Sequence, residues 1–163
     1  MEEIRTHVDI DAPAAVVWSI LANFPAYGRW NPLIRGVLGR AAEGRTIEIR
    51  TRHARGEKST RPTIVRLREN RELQWIEQSR LPGLYAAERR FRIEMRSHGV
   101  RLHHSERASG LLAWTARRPR LSPAALEGMN RALKQRAEHG GQAAARAAEQ
   151  SADDRRGRAA AVA

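Results

Sequence analysis

The chain has 163 residues and no cysteine. That single absence removes disulfides, cysteine-ligated zinc, iron–sulfur clusters and a cysteine nucleophile. Lysine is almost missing as well: of 30 basic residues only Lys58 and Lys134 are lysines. No apolar run approaches the roughly 20 residues that a membrane-spanning helix needs. The opening MEEIRTHVDIDAP is acidic and alternating, without the basic patch and apolar stretch of a secretory signal. A soluble cytoplasmic protein is the expectation. The glycines are scattered as turn residues, so there is no phosphate-cradling loop and no dinucleotide fingerprint, and no H-E-x-x-H zinc spacing occurs. These gaps argue against kinases, dehydrogenases and metalloproteases. No cofactor and no metal is expected.

What is abundant is arginine. The formal net charge is +12, carried unevenly: −2 over residues 1–34, +13 over 35–139 and +1 over 140–163. Such a balance suggests nucleic acid or an anionic surface as partner. Arginine and alanine share GC-rich codons, however, and the arginines alternate with apolar residues instead of forming a block. That pattern spreads them over the outer face of a sheet, and nucleic acid is not an expected partner. A monomer or a weak homodimer is.

The length allows one domain with a real core. EIRTHVDI alternates as a half-buried strand, with Ile4, Thr6, Val8 and Ile10 on one face. DAPAAVVWSILANF then reads as a helix, with Asp11 or Ala12 as cap and Pro13 in the first turn. PAYGRWNP ends it in a short turn, where Tyr27 and Trp30 serve as core plugs. From residue 35 the period is two. TIEIRTRH, RPTIVRLREN, RELQWIEQS, AAERRFRIEMRS and GVRLHHSER are strands, and ARGEKST, ENRE, RLPGLY and RSHG are turns. Short spacers make an antiparallel meander, which GLLAWTA extends or supplements before Pro119. A long helix follows Ser122, its cap, and Pro123. Leu121 and Leu126 match a hydrophobic staple. Leu126, Met129, Leu133 and Ala137 make an apolar stripe, and Gly140 and Gly141 close the helix. Residues 141–163 form an alanine- and arginine-rich tail without bulky apolar residues, expected as disorder or a frayed helix.

The order is strand, one or two short helices, antiparallel strands, long helix. The fold class is α+β: a curved antiparallel sheet wrapped around a long C-terminal helix, with the domain over residues 1–140. IRTHVDIDAPAAVVWSILANFPAYGRWNPLI resembles the opening of the SRPBCC superfamily, the START-like or Bet v 1-like helix-grip fold. The carriers are the alternating strand, Ala-Pro, the Val17–Trp18 pair, and Trp30-Asn31-Pro32. LPGLYAAERRFRIEMRSHGVRLHHSERASGLL is similar to the hairpin of the polyketide cyclase/dehydrase-like branch. The match covers about residues 3–140. The resemblance implies a cavity between sheet and C-terminal helix that takes a small hydrophobic or lipid-like ligand, with an aromatic cyclase or dehydrase as the enzymatic alternative. The family often carries histidine where this chain has Arg89, in ERRF.

VRLHHSERASG sets two histidines, a serine and a glutamate side by side. The pleat separates them. His104 and Glu106 share the inward face of Val100 and Leu102, while His103, Ser105 and Arg107 face out. Neither a His103–His104 metal pair nor a Ser105–His104 dyad follows. With Ser97-His98 as a two-residue turn, Met95 opposes Val100, Ile93 opposes Leu102, Phe91 opposes His104, and Arg89 opposes Glu106. An internal Arg89–Glu106 ion pair closing one end of the cavity results. Arg89, His104 and Glu106 are the candidates for catalysis or for orienting a polar ligand group, with Glu77 beside them. Trp30, Ile47, Ile49, Val65, Leu67, Trp75, Phe91, Ile93, Leu102, Met129 and Leu133 are the expected apolar lining. His7, His53, His98 and His139 are read as solvated.

Overall fold

A computed structural model describes residues 2–53, 56–81, 83–111, 113 and 122–140. The expectations for GLLAWTA, Pro119, Leu121, Gly141 and the 141–163 tail lie outside them, as does the side chain of His53.

Strand β1 (Glu2–Ile10) leads into helix α1 (Ala14–Ala22), a 3-10 turn (Phe24–Ala26) and a one-turn helix α2 (Tyr27–Trp30). Then come β2 (Ile34–Leu38), β3 (Glu48–His53), β4 (Gly56–Thr60), β5 (Thr63–Arg68), β6 (Glu72–Gln78), β7 (Ala86–Met95) and β8 (Val100–Ser109). Helix α3 occupies residues 123–140. Pro13 stands one position ahead of α1, its carbonyl accepting from the Val16 and Val17 N–H groups. Ser122 caps α3 through its hydroxyl, which accepts from the Ala125 N–H at 3.3 Å.

Five strands make one antiparallel sheet in the order β1-β8-β7-β6-β5, and three make a second in the order β2-β3-β4. The segment before β3 joins them. The Ile47 N–H donates to Pro62 and the Ile64 N–H to Arg45, each at 2.9 Å. The small sheet thus continues the large one around a bend. Two strands were not anticipated. β2 carries no alternating signal of its own in the sequence, and β4 falls within ARGEKST, which reads as a turn because no apolar residue marks its alternation.

The core lies between the large sheet and the helices. Leu73, Phe91 and Leu102 on the sheet and Leu126, Met129, Leu133 and Ala137 on α3 are all at most 1% exposed. The α3 stripe is therefore packed directly on the sheet, as its spacing requires. Tyr27 is fully buried, its hydroxyl donating to the Leu21 carbonyl at 2.8 Å. Asn31 ties the following turn, its Oδ1 accepting from the Leu33 and Ile34 N–H groups, both at 2.9 Å. The β7–β8 hairpin turns through Gly99 at φ +69°, and a Cβ there would meet the Ile10 carbonyl at 2.1 Å. Only glycine fits this turn against the end of β1.

Candidate functional site

Cross-strand registers organise the inner face into rows. Trp75, Arg89, Glu106 and Ile4 form one; Leu73, Phe91, His104 and Thr6 form the next. The β7–β8 register has every pair summing as the two-residue turn requires, from Met95–Val100 to Arg89–Glu106. The Arg89 Nη2 donates to Glu106 Oε2 at 2.9 Å, with the two side chains 9% and 22% exposed. This is an ion pair at the inner face, one shell from the core.

A cleft of about 80 Å³ opens beside that pair, between the bent-over β3–β4 and the large sheet. Ile49, Pro62 and Trp75 supply apolar walls, Arg89, Glu106 and Glu77 the polar end, and Thr51, Lys58 and Thr60 the facing wall. Tyr85 and Ala87 complete the rim. Thr51 and Lys58 are direct partners across β3 and β4, as are Ile49 and Thr60. Their side chains therefore share the face turned toward the large sheet.

His104 sits deeper, fully buried, its ring stacked on Phe91 at a centroid distance of 4.2 Å. Its Nδ1 lies 2.9 Å from Asn130 Oδ1. The Asn130 amide donates to Thr6 Oγ1 at 2.9 Å, and the Thr6 hydroxyl donates to the His104 carbonyl at 3.2 Å. The chain of donors fixes the tautomer. Because the Thr6 proton goes to a carbonyl, Asn130 must give its N–H₂ to Thr6 and turn its oxygen to the ring. Nδ1 therefore carries the hydrogen. Nε2 is left as a buried lone pair with no partner among the described residues. Burial, reinforced by the Arg89 charge and opposed by the Asn130 hydrogen bond, pulls the His104 pKa down to about 3. The ring is neutral at physiological pH.

Five expected site residues border the cleft: Ile49, Trp75, Glu77, Arg89 and Glu106. Ile47, Phe91, Ile93, Leu102, His104, Met129 and Leu133 are buried in the core and do not reach it, and Leu67 is partly buried against the core's edge. Among the described residues, this cleft lies between the two sheets, and the α3 stripe packs directly on the large sheet. Val65 corrects the expectation outright. It is 42% exposed, and its neighbour Ile64 is fully buried. A register shift between Ile64 and Arg66 inserts one residue and reverses the facing of Val65. Trp30 lies away from the cleft, half-buried in a surface groove between α1 and α3 beside Ile20 and Ala132. Met95 has the inward parity yet is 70% exposed, because β7 ends there. His7, His98 and His139 are exposed.

Thr51, Lys58, Thr60, Pro62, Tyr85, Ala87 and Glu88 were missed. Thr51 had a signal, sharing a face with Ile47 and Ile49. Lys58 and Thr60 had only the period-two spacing K-x-T within a polar run. Among the described residues no group of three or more His, Asp or Glu side chains converges on a metal position, and no helix is long and apolar enough to cross a membrane.

A family model described as polyketide cyclase/dehydrase and lipid transport matches residues 1–149, beyond the domain boundary placed at residue 140. Among solved structures, a START superfamily protein from Mycobacterium smegmatis aligns with a TM-score of 0.63 at 20% identity, covering 84% of this chain and 97% of that one. The Zhui aromatase/cyclase from Streptomyces sp. R1128 aligns at 0.60 and 18%, covering 84% and 93%. The di-domain aromatase/cyclase StfQ of the steffimycin pathway aligns at 0.67 and 13%, covering 84% of this chain and 51% of that one. At these identities the likeness is one of fold. Among curated proteins none matches this sequence.

Proposed function

The chain belongs to the polyketide cyclase/dehydrase and lipid transport family, and from that premise we propose that it binds a small, largely apolar ligand in the cleft between its two sheets. The observation that carries this reading is the Arg89–Glu106 pair, which faces a cleft with apolar walls at Ile49, Pro62 and Trp75 and a polar wall at Thr51, Lys58 and Thr60. Desolvating two charges is costly, and apolar residues of similar volume would pack at least as well. A polar pair in an apolar wall is the arrangement that orients one polar group of a ligand. At about 80 Å³ the cleft holds that polar end.

A cyclase or dehydrase using Arg89, His104 and Glu106 is the alternative. General bases work best with a pKa near the operating pH, and His104 at about 3 is far below it. Binding without chemistry is therefore preferred. Nucleic acid stays outside the proposal. On the outer sheet face Arg5, Arg90 and Arg101 are each tied to a carboxylate, Glu3, Glu72 and Asp9 respectively, so that face is not a bare cationic surface. Native mass spectrometry of gently purified protein, with thermal-shift screening of hydrophobic ligands, is the test. A co-purifying apolar ligand displaced by a filled cleft (Ala87→Phe) is the expected result. Protein that repeatedly arrives empty, with no ligand raising its melting temperature, would refute it.

A further inference from the structure

We propose that Lys58 makes the cleft selective for a ligand carrying a carboxylate. The inference rests on the cleft being a ligand site, and it names the chemistry of that ligand's polar end. The two lysines of the chain have opposite fates. Lys134 Nζ is satisfied twice, donating to the Asp9 carbonyl at 2.7 Å and to Glu138 Oε1 at 2.6 Å. Lys58 lines the cleft, half-buried, and makes no ion pair or side-chain hydrogen bond among the described residues. An ammonium at the wall of a cleft, with no acceptor spent on it, is free to take up a bound anion.

The surroundings agree. Arg89 spends Nη2 on Glu106, and a guanidinium has five N–H donors, so Arg89 keeps donors beyond that bond. The Thr51 and Thr60 side chains flank Lys58 on the same wall. The acids that border the cleft do not neutralise Lys58. Glu106 is paired with Arg89, Glu77 is already engaged, and Glu88 belongs to the outward row, opposite Arg107. A carboxylate between Lys58 and Arg89 supplies the missing acceptor, and charge-assisted hydrogen bonds are roughly twice as strong as neutral ones. A neutral hydroxyl at the same place gains less.

Isothermal titration with 1-naphthoate and 1-naphthylmethanol, two probes of one ring system differing in charge, tests this. On the wild-type chain naphthoate is expected to bind about tenfold tighter, the difference between a charged and a neutral hydrogen bond. Lys58→Met is expected to abolish that preference, Lys58→Arg to keep most of it, and Ala87→Phe to remove both probes. Equal binding of the two probes to the wild type, or an undiminished preference in Lys58→Met, overturns the role of Lys58 while leaving the cleft a ligand site. Binding of neither probe, or binding that survives Ala87→Phe, overturns the ligand-site reading and this inference with it.

Discussion

Removing one partner of the Arg89–Glu106 pair has an asymmetric cost that follows from exposure. Breaking a fully buried pair from one side typically costs about 3–5 kcal/mol, because an uncompensated charge stays buried. Glu106→Leu strands Arg89, whose side chain is only 9% exposed. The cleft lets some water reach it, so the lower end applies, about 3 kcal/mol. Arg89→Met instead strands Glu106, which at 22% exposed can turn its carboxylate toward the cleft and water. That change is expected to cost about 1–2 kcal/mol. The double variant carries neither charge and is expected within about 1 kcal/mol of wild type, giving a coupling of at least about 3 kcal/mol. Urea unfolding of the four proteins, with m-values held equal as a two-state check, measures all three quantities. The Glu106→Leu variant alone is expected to lose about 6–12 °C in Tm. If Arg89→Met is the more destabilising substitution, or if the two changes simply add, the pair is not the buried, coupled unit described.

The β5 bulge makes neighbouring residues unequal: Ile64→Ser is expected to cost about 3 kcal/mol and Val65→Ser less than about 0.5, and a Val65→Ser cost in urea melts that matches or exceeds that of Ile64→Ser would refute the bulge. Leu133→Ala, on the α3 stripe, is expected to cost about 3 kcal/mol; a loss below about 1 would mean that open space, not packing, lies under α3. For His104 the folded-state pKa of about 3 lies below the ordinary 6.5, so on acidification the unfolded chain takes up a proton first. The stability this neutral ring contributes is complete above pH 6.5 and is lost as pH falls toward 3. Between pH 7 and 4 the wild type is therefore expected to lose stability more steeply than a His104→Leu/Asn130→Leu variant. Parallel slopes in urea midpoints would contradict the buried neutral ring.

The parts of the molecule that the sequence discloses are those where side chains face the core. The β7–β8 hairpin could be registered because Ile93, Leu102 and Val100 must face inward together, and that parity carries Arg89 and Glu106 with it into one pair. The α3 stripe is legible for the same reason. Val65 could not be placed, since a bulge shifts parity without changing composition, and Val65 and Ile64 are equally apolar. Asn130 left a faint trace, a polar residue next to Met129 on the apolar side of α3, but nothing local shows that His104 is its partner 26 positions away. Strand β4 was the largest omission, and its cause bears on function. GEKST has no apolar residue because its inward side chains, Lys58 and Thr60, meet an open cleft and not the core. Strand patterns are read from burial against apolar neighbours, so a strand that walls a polar cleft lacks the signal by which strands are found. The wall that carries Lys58 was hidden by its lack of apolar side chains.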